Sequence, residues 1–241
     1  MNSLARVTKS PSEAARSLLV ETYNLLKVRT GKPPTRDAFF PVPLDTIVLD
    51  VLGWHLDRVA SVGQVQTVDA SGESEFDPTH GVTDFEKSVI TIGVDNISRE
   101  QQRFTLAHEI GHVQLHANLR AVAMRVRPVR RAVGVPQDRT AWKMERDADV
   151  FATELMMPRK AMANLFRECY GRPSMSAPVA IQVVRGDSPA MWEVNNETLK
   201  KASELLAMHR SNAASPSMAA YFGVSAGAMA RRLRELGLIT I

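Results

Sequence analysis

The chain has 241 residues, of which 44% are hydrophobic and 23% are charged. These proportions are ordinary for a globular protein and leave room for one or two domains. No apolar run approaches the roughly 20 residues that a membrane-crossing helix needs, and residues 1–9 contain no hydrophobic signal core. The single cysteine, Cys169, allows no internal disulfide. We therefore expect a cytoplasmic protein in a reducing compartment, with no membrane partner.

The formal net charge is +4, which is modest, but the positive charge is unevenly distributed. Six arginines cluster in the middle of the chain, with only Asp138 to offset them: Arg120, Arg125, Arg127, Arg130, Arg131 and Arg139. Two interpretations stay open. The cluster docks an acidic protein substrate or a nucleic-acid backbone, or it is a solvated loop that carries arginines.

The N-terminal part of the chain predicts a helix packed with a small sheet. Hydrophobic spacing and turn residues give the elements in chain order. They are a helix at 11–28, a short helix at 44–52, short strands at 55–61 and 64–68, a turn-rich stretch at 70–81, a strand at 88–93, and a capping box at Ser98–Gln101 that begins the next helix.

The helix predicted at 98–118 contains the motif His108-Glu-Ile-Gly-His112. Histidines four residues apart lie on one face of a helix, so both imidazoles can bind one zinc ion. Glu109 lies between them, where it can take a proton from metal-bound water and return it to a leaving amine. The motif therefore predicts metal-assisted hydrolysis, most often of a peptide bond.

A catalytic zinc usually takes three protein ligands, and a second helix predicted at 138–157 offers two candidates for the third. Glu145 lies at the edge of the apolar stripe of this helix, and Asp149 follows on the same side. In one arrangement Glu145 binds zinc and Asp149 accepts the free ring N–H of a ligand histidine. In the alternative Asp149 binds zinc and Glu145 lies behind it. Ala148 would let the two helices approach closely.

Other ligand sets are less favourable. His116 lies about 12 Å along the helix axis from His108, which is too far to share one ion comfortably. We therefore expect His116 to pack or to support a ligand rather than to bind the metal. Leu115 and Asn118 stand where the longer metzincin pattern requires glycine and histidine, which excludes that pattern.

The segments Phe104–His116 and Glu145–Pro158 resemble the two motifs of the ImmA/IrrE family of metallopeptidases, in the same order, and the resemblance extends over roughly residues 40–160. It implies a gluzincin-like zinc endopeptidase with a narrow protein substrate, a helix-turn-helix repressor whose cleavage derepresses genes under stress. Carried over by position, the implied ligands are His108, His112 and Glu145, with Glu109 as general base. Asp149 stands where the family often has asparagine.

After Pro158 we predict a helix to Tyr170, a linker or surface loop at 171–194 and a helix at 195–210. The last part of the chain then predicts a short helix, a turn at Gly223 and a capped second helix, an order that is typical of a helix-turn-helix. The small side chains at 226–230 offer little chemistry for reading base edges, so protein docking or a structural role is favoured over DNA binding.

The predicted fold is α+β. A zincin-like peptidase domain at 1–170, with a small sheet, the motif helix and the second ligand helix, precedes the linker and an all-α helix-turn-helix-like region at 195–241.

The main functional hypothesis is a cytoplasmic zinc endopeptidase of regulatory type that cleaves a helix-turn-helix repressor or antitoxin. One alternative is a DNA-binding regulator whose zinc site is structural. Another is a module that sequesters a repressor without cutting it. A peptidase also needs a group that stabilises the oxyanion, and the sequence does not choose among four candidates: His80, Tyr170, His209 and Tyr221.

Overall fold

The computed structural model describes residues 9–62, 64–68, 74–78, 80–117, 139–211 and 215–241. Internal contacts divide the chain into two units, which are described separately. The first unit comprises Met1–Thr35 and Pro43–Leu155, and the second comprises Arg36–Val42 and Met156–Ile241. This division places 156–170 with the C-terminal helices, whereas the predicted domain limits are 1–170, 171–194 and 195–241. Those limits stay a prediction.

The described residues of the first unit form helices and five short strands. Its elements are α1 (Pro11–Thr30), α3 (Leu44–Thr46) with a π-helical turn (Ile47–Val51), β1 (His55–Val59), β2 (Gln64–Val68), β3 (Ser74–Pro78), β4 (Gly81–Asp84), β5 (Val89–Gly93), α4 (Arg99–His116) and α5 (Arg139–Met156), whose last residue belongs to the second unit.

The second unit is mostly helical. Its elements are α2 (Arg36–Phe39), α6 (Arg159–Tyr170), β6 (Met175–Ser176), α7 (Ala177–Arg185), a 3-10 turn (Pro189–Met191), α8 (Asn196–Met208), α9 (Met218–Phe222), α10 (Ala226–Glu235) and β7 (Ile239–Thr240). The two units together give a mixed α+β protein with a small sheet, which fits the predicted zincin-like peptidase domain.

The sheet that supports the site has the strand order β1-β5-β4. The central strand β5 is parallel to β1 and antiparallel to β4. Its β-branched residues Ile90 and Ile92 are fully or almost fully buried, as expected for a strand covered by helices. The predicted strand at 88–93 is confirmed. The turn-rich interpretation of 70–81 is wrong in part, because β3 lies within it and pairs with β2, and β4 begins at its end.

Helix α4 begins as the sequence predicts. The Ser98 hydroxyl accepts from the Gln101 backbone N–H at 3.2 Å, and the Gln101 side chain accepts from the Ser98 backbone N–H at 2.8 Å. This reciprocal capping box satisfies two amides that the first turn of a helix leaves unpaired. Leu106 and Ile110 are buried on the face of α4 that fills the core, and the helix packs against β4 and β5.

A glycine and an alanine let α4 and α5 approach closely. A Cβ atom added at Gly111 would lie 3.2 Å from the Cα atom of Ala148 and 3.1 Å from the Phe151 ring. Glycine in a helix interior costs about 1 kcal/mol relative to alanine, so close packing accounts for its use here. The approach brings the polar side chains of both helices within reach of one another.

In the second unit α8 packs against α7, α9 and α10. Helix α7 lies inside 171–194, where the sequence predicts a linker or surface loop. Its flanking residues explain the difference, since Pro178 in the first turn and Gly186 at φ +79° are helix-boundary residues as well as loop residues. The glycine turn at Gly223 and the cap at Ser225 form as predicted, and the Ser225 hydroxyl accepts from the Ala228 N–H at 3.2 Å.

The face of α10 bears on the predicted helix-turn-helix. Arg232 is buried and donates from Nε and one terminal nitrogen to the Met157 carbonyl at 3.2 and 3.1 Å. Its guanidinium is therefore hydrogen-bonded inside the unit and does not face solvent, whereas Gly227 and Arg231 are exposed. DNA binding by this region stays a prediction, with few side chains to support it. Across the described residues, no helix combines the length and hydropathy that crossing a bilayer requires.

Candidate metal centre

The structure brings the three predicted ligands together. Helix α4 places His108 and His112 one turn apart, and their Nε2 atoms lie 3.0 Å from each other. Helix α5 supplies Glu145, whose Oε2 lies 3.1 Å from His108 Nε2 and whose Oε1 lies 3.5 Å from His112 Nε2. One ligand atom from each of the three residues falls within a 4.8 Å span. This group could hold a metal ion.

Asp149 lies on the other side of the His108 ring. Its Oδ1 is 2.9 Å from His108 Nδ1, so the carboxylate accepts the Nδ1 hydrogen and leaves Nε2 to face Glu145. This geometry favours Glu145 over Asp149 as the third ligand. It is the arrangement in which an outer carboxylate fixes the tautomer and the orientation of a ligand histidine.

The charges at the centre fit a cation. With Nδ1 protonated, a neutral His108 has its Nε2 lone pair directed at the Glu145 carboxylate, which is also an acceptor. Glu145 Oε1 is buried and has no hydrogen-bond partner among the described residues. Two nitrogen ligands of a tetrahedral zinc ion, at bond lengths of about 2.0–2.1 Å, lie about 3.4 Å apart. The Nε2 atoms of His108 and His112 lie 3.0 Å apart, so a small shift would bring them to that separation.

The pKa values of His108 and Glu145 also indicate that the centre attracts positive charge. Burial disfavours the charged form of His108, but hydrogen bonds to Asp149 and Glu145 outweigh it and raise the pKa of His108 to about 10. Burial disfavours ionised Glu145, but the hydrogen bond from His108 and the contact with His112 outweigh it and lower the pKa of Glu145 to about 2. The centre therefore attracts positive charge, as a proton on His108 or as a metal ion.

The predicted general base is held by strand β4. Glu109 is buried, and the Thr83 hydroxyl donates to its Oε2 at 2.6 Å. A Cβ atom added at Gly81 would lie 2.7 Å from Glu109 Oε1 and 2.6 Å from the Thr105 methyl group. The absence of a side chain at position 81 thus leaves space for the carboxylate, and Thr83 fixes its orientation.

Sequence reasoning did not identify Thr83 or Gly81. Residues two apart in a strand point to the same face, so the pair becomes recognisable once β4 is known to lie beside α4. That neighbour relation comes from the pairing of β4 with β5, which four residues containing a glycine do not predict by themselves.

His116 stands apart from the three converging groups. Its Nδ1 lies 3.0 Å from Nδ1 of His112, which is the side of that ring turned away from Glu145. Burial lowers the pKa of His116 to about 4. The expectation that His116 is not a metal ligand therefore agrees with the geometry.

The oxyanion candidates fall in both units, and their role stays a prediction. Of the oxyanion candidates, Tyr170, His209 and Tyr221 belong to the second unit. There the Tyr170 hydroxyl lies 3.5 Å from His209 Nδ1, and the Tyr221 hydroxyl donates to Asp37 at 3.1 Å. His80 lies in the first unit beside β4. In the arginine cluster, the five residues from Arg120 to Arg131 lie outside the described residues, and Arg139 begins α5.

Two histidines from a helix that carries H-E-x-x-H, a glutamate from the next helix and a buried glutamate beside them form a centre of the metallopeptidase class. The model of the Peptidase_M78 family, described as an IrrE N-terminal-like domain, matches residues 70–169, which include both helices of the centre. This match supports membership of the ImmA/IrrE family, as the two motifs predict, and with it a metallopeptidase. Among curated proteins, none matches the chain.

Proposed function

We propose that the protein is a cytoplasmic zinc-dependent endopeptidase of regulatory type. The observation that carries the proposal is the convergence of His108, His112 and Glu145 beside a buried carboxylate, Glu109. Two imidazoles and one carboxylate are a common ligand set of catalytic zinc, and they leave a coordination position for water. The cytoplasmic location rests on the single cysteine, which requires no oxidising compartment.

Zinc bound at this centre would polarise the scissile carbonyl and lower the pKa of a bound water. The chain's own residues then handle the proton. Glu109 accepts the proton of the water and returns it to the leaving amine. The Thr83 hydroxyl holds Oε2 of Glu109, so the carboxylate is oriented before substrate arrives.

Strand β4 supports the proposal of an endopeptidase. It pairs with β5 along one edge, and within the part of the chain that the structure describes no strand pairs with its other edge. An extended peptide can add to such an edge through main-chain hydrogen bonds. A substrate strand there would run past Thr83 and Glu109, so cleavage inside a chain needs no free terminus.

The proposed substrate is a helix-turn-helix repressor or antitoxin, whose cleavage would derepress genes in a stress response. This part of the proposal rests on the resemblance to the ImmA/IrrE family. The basic segment between the two motifs, with the six arginines from Arg120 to Arg139, supports a substrate with an acidic surface.

The change Glu109→Gln tests the catalytic proposal, because glutamine keeps the shape of the side chain and removes the base. The protein would be loaded with zinc and incubated with purified helix-turn-helix repressors of its own organism, and fragments would be identified by mass spectrometry. We expect cleavage to fall at least about 100-fold, within the range that general acid–base catalysis contributes, while zinc content stays at the wild-type level.

A matched control is Glu86→Gln, which removes an exposed glutamate of the same unit and should cleave like the wild type. Two results would contradict the peptidase. If E109Q still inactivates the repressor and no fragments form with either protein, the protein is a sequestering module. If wild type binds the operator DNA at low salt and does not cut the repressor, it is a DNA-binding regulator with a structural metal site.

A further inference from the structure

The two ligand histidines are supported on their outer sides by different groups. Asp149 lies behind His108, with its Oδ1 at 2.9 Å from Nδ1. Behind His112 lies the imidazole of His116, with its Nδ1 at 3.0 Å from the Nδ1 of His112. His116 is 5% exposed and is the last residue of α4. Its position one turn beyond His112 repeats the spacing of the H-E-x-x-H motif.

A metal ion bound to Nε2 of His112 would fix the tautomers of the two rings. His112 turns Nε2 towards His108 and Glu145, and a neutral imidazole that offers its Nε2 lone pair carries its hydrogen on Nδ1. The atom facing that hydrogen is Nδ1 of His116. It must therefore present a lone pair, so His116 is the neutral tautomer with its own hydrogen on Nε2.

We propose that His116 is a positioning residue of the metal centre, which accepts the Nδ1 hydrogen of His112 and thereby fixes the orientation and tautomer of that ligand. The inference rests on the metal centre of the proposed function. The usual partners behind a metal-bound histidine are a carboxylate, a backbone carbonyl or water. Here a neutral imidazole does the same work without adding negative charge to a site that already holds Glu109, Glu145 and Asp149.

Burial strengthens the case against a role in packing alone. His112 and His116 are both buried polar residues, and a buried N–H without an acceptor is costly. If His116 only filled space, an apolar side chain of similar size would serve equally well, but it would leave the Nδ1 hydrogen of His112 without this acceptor. The geometry therefore predicts that the nitrogen atom of His116 matters more than its volume.

A pair of variants separates the two roles. Asparagine and leucine are both branched at Cγ and close in size. In His116→Asn the amide oxygen takes the place of Nδ1 and can still accept, whereas His116→Leu offers no acceptor. Zinc affinity at neutral pH would be measured by competition with a chromophoric chelator. We expect H116L to bind zinc about 10–100-fold more weakly than wild type, as for loss of other outer partners, and H116N to retain most of the affinity.

Asp149→Ala is the positive control, with a loss in the same range. The d–d spectrum of the cobalt-substituted proteins gives a readout independent of peptidase activity, and we expect it to change in H116L and not in H116N. Unfolding of the metal-free variants in denaturant would show whether each is folded. Wild-type zinc affinity in H116L, or an equal loss in H116N and H116L, would overturn the inference. Wild type that binds no zinc would overturn the proposed function as well, so the two failures are distinguishable.

Discussion

Polar groups are buried in both units, but they are satisfied in different ways. In the second unit Arg232 donates twice to the Met157 carbonyl and lies 3.6 Å from a Glu235 carboxylate oxygen, so donors and acceptors form closed pairs. In the first unit the ring nitrogens of His108 and His112 and the Glu145 carboxylate lie within 4.8 Å of one another, and with His108 neutral they are all acceptors. Closed pairs need nothing further, whereas converging acceptors need a cation between them. This difference favours a metal site at the first cluster and a structural role for the second.

The comparison predicts that removing a carboxylate weakens metal binding in the first unit and leaves it unchanged in the second. Glu145→Ala deletes a proposed ligand, so we expect zinc affinity to fall by more than about 100-fold, the upper end of the cost of losing an outer partner. Glu168→Ala is the control, because its carboxylate already accepts from Arg36 in the second unit. Chelator competition measures both.

We expect E168A to bind zinc like the wild type. Undiminished zinc binding in E145A, combined with loss in D149A, would exchange the roles of the two acidic residues on α5. Loss in E168A as well would mean that the distinction between converging acceptors and closed pairs does not hold.

The glycines of the two regions differ in a similar way. A Cβ atom at Gly81 would lie 2.7 Å from Glu109 Oε1, whereas nothing lies within 4 Å of a Cβ atom at Gly227. Gly81→Ala must therefore displace the carboxylate of Glu109, the proposed general base, or strand β4. A misplacement of about 1 Å can cost about 100-fold in rate, and we expect a loss of that size in kcat/KM for repressor cleavage.

Zinc content should be unchanged in G81A, because the ligands lie on α4 and α5. Gly227→Ala serves as the control and should cleave at the wild-type rate. Full activity in G81A would show that the close approach of β4 to Glu109 is not needed for catalysis.

The parts of the site that were predictable are those specified by local sequence. The capping box at Ser98 and the four-residue spacing of His108 and His112 depend only on helix geometry, and both form as predicted. The orientation of Glu145 and Asp149 needs one further step, the packing of α5 on α4. The sequence is compatible with either residue as the third ligand. In the structure Asp149 faces Nδ1 of His108 and Glu145 faces Nε2, which favours Glu145 as the ligand.

What could not be predicted depends on contacts between distant segments. Strand β4 has four residues and forms because β5 offers a partner, so Thr83 and Gly81 could not be assigned to the site from sequence. Helix α7 could not be predicted for another reason. Proline and glycine, which occur here as Pro178 and Gly186, are typical both of helix ends and of loops.

The raised pKa of His108 also predicts that stability and zinc affinity depend on pH. The pKa of His108 in the metal-free protein is about 10, against an ordinary value of 6.5. Because the folded value is raised, the His108 proton stabilises the metal-free protein fully below pH 6.5, and this contribution is lost as the pH rises towards 10. Zinc must displace the same proton to reach Nε2.

Well below pH 10, zinc binding should therefore release close to one proton from His108, and affinity should rise about tenfold per pH unit. Glu145, with its pKa lowered to about 2, is already ionised and releases none. Calorimetry in two buffers of different ionisation enthalpy counts the protons. Asp149→Asn should reduce the number, and no release from wild type would contradict a protonated His108.

The smallest expected effects are on folding, where Gly111 and Gly227 again differ. A Cβ atom at Gly111 meets the Ala148 backbone at 3.2 Å. Overpacking costs about 1–3 kcal/mol and the better helix propensity of alanine returns about 1 kcal/mol, so Gly111→Ala should lower the free energy of unfolding by up to about 2 kcal/mol. Gly227→Ala, in open space on α10, should raise it by up to about 1 kcal/mol. Denaturant unfolding of the metal-free proteins measures both. A stabilised G111A would mean that α4 and α5 can separate without cost, in which case the close approach that brings Glu145 to the histidines is not fixed by this glycine.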